Sequence, residues 1–388
     1  MPTQAHPRAG TYVRQPGGHF SFVPKPLPPE PAVATGGELG VVLSAADQAL
    51  GRLDGATDTL PDPDLFVYMY VRKEAVLSSQ IEGTQASLID VLEFEAQASE
   101  PEHPLDVAEV VNYVAAMNLG LERLRQLPVS LRLIREIHGR LMQGVRGENK
   151  TPGEFRRSQN WIGPPGSTLG TARYIPPPPH EMTEALSNLE RFIHDDVPHP
   201  ALIKVGLVHA QFETIHPFLD GNGRVGRLLI TFLLCEKGIL RRPLLYLSHH
   251  FRLHQSEYYE RLQAIRDAGD WEGWLMFFLQ GVQDVSIEAT ETARRIVSIR
   301  EEHRRLITSK LGKSIGGGLT LLEALYKRPV VTVPHVADIT NLAFPNANNL
   351  VNRFNELGLL HEMTGQRRNR RFAYKPYLEL LSTPAAPA

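Results

Sequence analysis

Apolar residues recur at helical spacing along most of the chain, and the breaks between these stretches are rich in proline and glycine. Residues 39–55 predict one helix. Asp62-Pro-Asp-Leu opens a second, which runs through Phe66, Met69, Val71 and Leu77 and ends in Ser78-Ser79-Gln80-Ile81-Glu82, with Gly83 as its stop. Helices follow over 84–98, 105–126 and 129–145, the last two carrying apolar faces through Val110, Val114 and Met117 and through Leu133, Ile134, Ile137 and Leu141. Another spans 179–195. Residues 201–215 place Leu202, Val205, Val208, Phe212 and Ile215 on one side, and Leu228 to Lys237 is a nearly unbroken apolar run ending at Gly238, the pattern of a buried helix. Beyond it come a helix with Tyr258, Tyr259, Leu262 and Ile265, then a stripe of Trp271, Trp274, Phe277, Phe278 and Leu279. Residues 285–311 are highly charged at helical spacing, which predicts a long exposed linking helix.

The remaining segments do not read as helix. Residues 1–38 are rich in Pro and Gly, with Phe20, Phe22, Val23 and Leu27 as scattered apolar anchors, so an extended arm packed on the body and a disordered arm are both open. Between 151 and 179, two short β-prone runs flank a turn-rich loop and predict a hairpin that Pro176 to Pro179 terminate. Ser314-Ile-Gly-Gly-Gly318 marks a boundary. Past it, helical stretches at 319–327, 333–340 and 345–357 precede two β-prone runs around Thr364-Gly-Gln-Arg-Arg-Asn-Arg-Arg371. The tail after Ser382 is Pro/Ala-rich.

Composition narrows the class. The 388 residues are 42% hydrophobic, enough for proper cores, and the net charge of −2 gives no global field toward nucleic acid or membrane. The single Cys235 excludes an intramolecular disulfide and suits a reducing, cytoplasmic location. No apolar run reaches membrane-spanning length. Two tempting motifs fail. Leu311-Gly-Lys-Ser314 mimics the end of a P-loop, but Ile307 stands where its first glycine belongs. His249 and His250 are adjacent, so they point to different helix faces and make a poor metal pair.

The candidate chemistry sits between the two most apolar helices, in His216-Pro-Phe-Leu-Asp220-Gly-Asn-Gly-Arg224-Val-Gly-Arg227. A helix start leaves N–H groups without partners at a positive dipole end. Gly221-Asn222-Gly223 permits the positive φ values that turn successive N–H groups into an anion nest. Arg224 and Arg227, three residues apart, share a helix face just beyond it. Together these form a seat for a polyphosphate. Asp220 can hold a Mg²⁺ that bridges phosphate oxygens, and His216 can act as a general base at neutral pH. The set describes phosphoryl or nucleotidyl transfer to a hydroxyl.

The run from His216 to Arg227 resembles the Fic-family signature H-x-F-x-[D/E]-G-N-G-R-x-x-R at every defined position. The resemblance implies a mainly α fold and a transfer of AMP from ATP to a protein hydroxyl. It implies His216 as the base, Asp220 on Mg²⁺, Gly221, Asn222, Gly223 and Arg224 on the α- and β-phosphates, and Arg227 on the γ-phosphate. Val225 and Gly226 complete the nucleotide-binding turn, and Phe218 is implied as a core anchor. Ser78 to Gly83 is similar to the family's inhibitory motif [S/T]-x-x-x-E-[G/N], which implies that Glu82 pairs with Arg227, with Ser79 adding a hydrogen bond near the nucleotide. The 151–179 hairpin resembles the family's flap, implying Ile162 and Gly163 near the ligand. Tyr258 and Tyr259 are either packing or, as the resemblance implies, placed against the adenine.

The reading divides the chain into an arm at 1–38, helices with the inhibitory segment at 39–150, a helical core with a β-hairpin flap at 151–285, a linking helix and Gly-rich linker at 286–318, and a unit at 319–380 that resembles a winged helix. There the third helix would read DNA through Asn346, Asn348, Asn349, Asn352 and Arg353, with wing arginines on phosphates; protein docking is the other use of such a unit. The partners expected are a hydroxyl-bearing protein, the chain itself as target or as a second copy in a homodimer, and DNA at the C-terminal unit; no membrane. Transfer of UMP or phosphocholine, and a nucleotide-sensing DNA-binding regulator without turnover, are the alternatives.

Overall fold

A computed structural model describes residues 6–56, 63–96, 103–164 and 166–382. The first residues of the arm, Asp62, the end of the 84–98 stretch and the tail after Ser382 lie outside the described residues.

The chain is mostly helical. Two strands, β1 (Gly10–Arg14) and β2 (Phe20–Pro24), pair antiparallel with Gly10 opposite Pro24. Of the two readings left open for the arm, the described residues from 6 onward take the packed one, in the form of a hairpin. It is anchored by the fully buried Phe22, by the Phe22 N–H donating to the Ile175 carbonyl at 2.9 Å, and by Arg8 gripping both oxygens of Glu272 at 2.6 and 2.7 Å. Helices α1 (Gly37–Ala56), α2 (Pro63–Ile81), α3 (Leu88–Glu95), α4 (Pro104–Arg123) and α5 (Leu131–Leu141) follow. Ser87 caps α3 in a reciprocal capping box with Asp90, which sets that start.

Next come α6 (Pro179–His194), α7 (Ala201–Ile215) and α8 (Asn222–Glu236), then α9 (Ser248–Leu253), α10 (Gln255–Ala268) and α11 (Trp271–Lys310). Both α7 and α8 are buried on nearly all sides, as their apolar runs require, and they pack on each other. Between α5 and α6, the expected hairpin is reduced to a single bridge in which Ile162 and Tyr174 exchange N–H···O bonds of 2.8 and 3.0 Å. Prolines on both sides, Pro164 and Pro176 to Pro179, have no N–H to extend the ladder.

The charged 285–311 stretch is not an exposed linker. It is the second half of α11, a single 40-residue helix that buries Val285, Ala289, Ala293, Ile296, His303 and Ile307. Small apolar residues every three or four positions make that buried stripe, and the many charges hide it. The Gly-rich linker is also corrected. Ile315 to Gly318 form the first turn of α12 (Ile315–Lys327), where Gly318 lies so close to Leu311 and Ile307 that a Cβ would overlap them. After α12 come β3 (Val330–Thr332), α13 (Val333–Thr340), α14 (Phe344–Glu356), β4 (His361–Glu362), β5 (Arg371–Ala373) and α15 (Lys375–Ser382), with the strands in the order β3-β5-β4. This unit packs on α11 and α2, and Arg371 ties it to Glu93 of α3 at 2.8 Å.

Candidate functional site

The site forms where α7 stops. His216 adopts a left-handed conformation (φ 49°) and turns the chain out of the helix, its N–H still bonded to the Phe212 carbonyl at 2.9 Å. Three groups fix the turn that follows. Arg156, buried, donates Nε to the His216 carbonyl at 3.0 Å. Asn160 Nδ2 donates to the carbonyls of His216 and Phe218 at 3.2 and 2.8 Å. His138 lies flat on Phe218, ring centres 3.7 Å apart, and accepts the Gly153 N–H on Nδ1 at 2.8 Å; its Nε2 therefore carries the proton and donates to the Asp220 carbonyl at 3.0 Å.

Gly221 (φ 77°) begins α8, and no side chain caps the helix, so its first-turn N–H groups point outward unclaimed by a cap. The nest differs in detail from the expected one. Gly221 takes the positive φ, whereas Gly223 is helical. Asn222 faces inward: its Oδ1 accepts the Phe218 N–H and its Nδ2 donates to the Phe218 carbonyl, both at 2.8 Å, which braces the loop rather than lining the seat. Gly223 is needed for space, because a Cβ there would overlap the Glu82 carboxylate and crowd Arg227. Val225 is core, and Gly226 leaves room for the Glu213 carboxylate.

Burial holds the His216 imidazole down at about 4, with the Arg156 cation acting in the same direction, so the ring is neutral at physiological pH and its Nδ1 has no partner. Arg224 is buried and donates to Glu109 of α4 at 3.0 Å; Glu109 also holds Arg146 at 2.6 Å. The Asp220 carboxylate is half-exposed and accepts from the Gly221 N–H at 2.7 Å and from Lys150 at 3.0 Å. No cluster of three or more His, Cys, Asp or Glu side chains that could hold a metal occurs among the described residues. One hard carboxylate beside an anion seat suits a Mg²⁺ whose other ligands are water and phosphate oxygens.

Arg227 is almost fully buried. It donates Nε to the Ser78 hydroxyl at 2.7 Å, and Nη2 to the Ser78 carbonyl at 3.0 Å and to Glu82 at 2.7 Å. Burial opposes its charge, but the Glu82 carboxylate, with Tyr258 and Glu213, holds its pKa above the ordinary arginine value. The hydroxyl that reaches this cluster is that of Ser78; Ser79 is buried with its Oγ unpartnered. Ile162, Gly163 and Tyr259 converge, with Glu213 and Arg266, on one cavity of about 340 Å³. Tyr258 is separated from it. That ring stacks in an aromatic core on Phe251 and bonds through its hydroxyl to His209 at 2.9 Å, so it is packing and not a wall of the cavity.

Residues 41–122 match the family described as Fic/DOC family N-terminal, and residues 128–234 match the Fic/DOC family. The chain belongs to the Fic/DOC family. Among its relatives, a probable protein adenylyltransferase of Aquifex aeolicus is 27% identical over 175 residues, covering 45% of this chain and 51% of the relative. Protein adenylyltransferase Fic of Drosophila erecta is 31% identical over 135 residues, covering 33% of this chain and 25% of the relative. The chain thus spans about half and about a quarter of those proteins. A solved Fic family protein from Desulfovibrio desulfuricans G20 shares the fold, with a TM-score of 0.56 and 21% identity over 86% of this chain and 95% of that one. The family matches place the signature in the second region and Glu82 and Glu109 in the first, so Arg224 and Arg227 are held by residues of the Fic/DOC N-terminal segment.

His138, Arg156, Asn160, Glu109 and Glu213 escape the sequence reading. Glu213 leaves a trace, being the lone acid of the otherwise strongly apolar α7, whereas Glu109 shares α4 with Asp106 and Glu122 and does not stand out. His138, Arg156 and Asn160 act through backbone carbonyls, which leave no pattern in sequence.

Proposed function

We propose that this Fic protein moves AMP from ATP to a Ser, Thr or Tyr hydroxyl of a protein, itself included, and that Glu82 holds the reaction back. The supporting observation is the meeting at one helix start of a neutral imidazole, an uncapped N-terminus and two buried guanidiniums, Arg224 held by Glu109 and Arg227 occupied by Glu82. His216 takes the proton of the target hydroxyl. The hydroxyl oxygen then attacks the α-phosphorus, the bond to the bridging oxygen of the β-phosphate breaks, and pyrophosphate leaves. Asp220 would hold Mg²⁺, which supplies charge neutralisation on the phosphates. The first-turn N–H groups of α8 and Arg224 take negative charge that builds on the phosphates, and Arg227 takes the γ-phosphate once Glu82 withdraws. The names of the two curated relatives point the same way.

The unit at 319–380 is read as a winged helix. Its use on DNA is weakened by internal bonding: Arg353 donates to the carbonyls of Leu311 and Lys310, Arg370 to Asn348, and Arg371 to Glu93. Docking on protein is the better reading. Nothing in this proposal calls on a membrane, and no helix among the described residues is long and apolar enough to cross one. The deciding experiment incubates Glu82→Gly protein with labelled ATP, UTP and CTP plus lysate, followed by mass spectrometry. AMP on hydroxyl side chains is expected. UMP or CMP in its place, or a chain that binds nucleotide and labels nothing, would overturn the assignment.

A further inference from the structure

Glu213 lies three residues before His216 on α7, and the reaction described above does not use it. Its side chain is more than nine-tenths buried, and its Oε1 has no hydrogen-bond partner. It borders the cavity of about 340 Å³ between the bridge segment, with Ile162 and Gly163, and α10, with Tyr259, Gln263 and Arg266. The charges that face it are Arg227 from α8, Glu82 from the end of α2 and Arg266 from α10. The nearest cations are engaged elsewhere: Arg227 on Ser78 and Glu82, and Arg266 over the Tyr174 ring at 4.0 Å and on Gln263. Gly226 is the residue whose missing side chain makes room for the carboxyl. A buried acceptor without a partner, beside a cavity, is a costly arrangement unless a ligand completes it.

We propose that Glu213 is a specificity-determining contact that accepts a hydrogen bond from the exocyclic amino group of the nucleotide base, so that the site prefers a 6-aminopurine to a 6-oxopurine. The inference rests on the nucleotidyl-transfer reading. A cavity of this size falls at the small end of ligand pockets. The base enters it while the phosphates lie along the start of α8, and Tyr259 gives it an aromatic wall. A carboxylate oxygen accepts from N6–H of adenine. At the same place a 6-carbonyl meets a second acceptor, and the buried pair is left unsatisfied. Burial raises the Glu213 carboxyl to about 7, Arg227 and Arg266 pulling it down and Glu82 pushing it up, so the group keeps an acceptor oxygen in either charge state.

The test compares equilibrium binding of ATP and ITP, which differ at this ring position, to the full chain carrying Glu82→Gly. ATP should bind about tenfold more tightly, the equivalent of one buried hydrogen bond. Adding Glu213→Gln, close in shape, supplies an amide N–H that a 6-carbonyl can use, so the ATP-to-ITP ratio should fall to about one. Adding Glu213→Leu should weaken ATP without strengthening ITP. If both nucleotides bind and the ratio is unchanged by Glu213→Gln in folded protein, the Glu213 contact is wrong and the nucleotide reading stands. If neither nucleotide binds the Glu82→Gly chain, both readings fall.

Discussion

Glu82 Oε1 accepts from Arg227 Nη2 at 2.7 Å, one helical turn beyond the Ser78 hydroxyl and carbonyl that hold the same guanidinium. The end of α2 is thus latched to the second arginine of the phosphate seat, and the Glu82 carboxylate stands where Gly223 alone leaves room for it. A carboxylate and a γ-phosphate compete for the same N–H donors. Glu82→Gly should raise self-labelling from ATP by about tenfold or more, a change of about 1.4 kcal/mol. Arg227→Ala should be poorly active, and adding Glu82→Gly to it should restore little, because the two substitutions act on one interaction. Equal activation by Glu82→Gly with and without Arg227 would rule out the direct pair.

Asn222 offers a separate test of loop geometry. Its side chain closes a two-point pair with the Phe218 backbone. In Asn222→Ala the Phe218 carbonyl keeps its bond from Asn160, but the buried Phe218 N–H is orphaned. The loss should be about 1–3 kcal/mol of stability. Activity should drop with it, since Phe218 lies between His216 and Asp220. Calorimetry and labelling on the same preparation check both; an unchanged midpoint would mean that the brace is unimportant.

The degree to which the sequence is legible depends on how local the physics is. The helices around the site are carried by apolar periodicity, and the chemistry of His216 to Arg227 is contiguous, so both can be read directly. Glu82 can be linked to Arg227 through a motif. Glu109 cannot be linked to Arg224, because two buried groups 115 residues apart meet through packing of α4 on α8. The second half of α11 is hard to read because Arg and Glu are interleaved with the buried stripe that includes Val285, Ala289 and Ile296. Ile315 to Gly318 has the composition of a linker because glycine disfavours helices; tight packing on Ile307 and Leu311 overrides that propensity at Gly318.

A metal requirement follows from Asp220. A single half-exposed carboxylate, already drawn toward Lys150 and the Gly221 N–H, binds a cation weakly unless phosphate oxygens share it. Activity should vanish with EDTA and return with Mg²⁺ or Mn²⁺, and Asp220→Ala should lose activity that neither ion restores. Zn²⁺ as the one effective ion would contradict the assignment.

The C-terminal unit is bonded into the body, so truncation would expose core, and point variants are the cleaner probe. Arg367 and Arg368 are the exposed arginines of its β4–β5 turn. If the unit binds DNA, Arg367→Ala with Arg368→Ala should weaken retention on DNA at low salt and flatten its salt dependence. No retention by the unmodified chain at low salt would leave protein docking. Arg371→Ala should not alter DNA retention but should loosen α3, since it leaves Glu93 without its 2.8 Å ion-pair contact; faster amide exchange in 88–95 would report this.

The imidazole of His216 gives the last prediction. An ordinary histidine loses most of its base form as pH falls below 6.5. Burial lowers His216 to about 4, Arg156 acts in the same sense, and Glu82 raises it. The depressed folded value means that the ring remains a free base down to about pH 5. In the unfolded chain it binds a proton from about 6.5 downward, so its contribution to folding stability is present above 6.5 and is lost as pH falls toward 4. Removing Glu82 takes away the anion that raises it, so in the Glu82→Gly chain the value should fall further. An NMR titration of the labelled His216 ring should show no midpoint between pH 5.5 and 7.5, and the rate at saturating ATP should carry no His216 titration in that range. His216→Ala should cost about 10²–10⁴ in rate while ATP binding is largely kept, because the ring handles the proton of the nucleophile and not the phosphates. A ring that titrates near 6.5, or a folded His216→Ala chain that turns over normally, would remove His216 from the role of base.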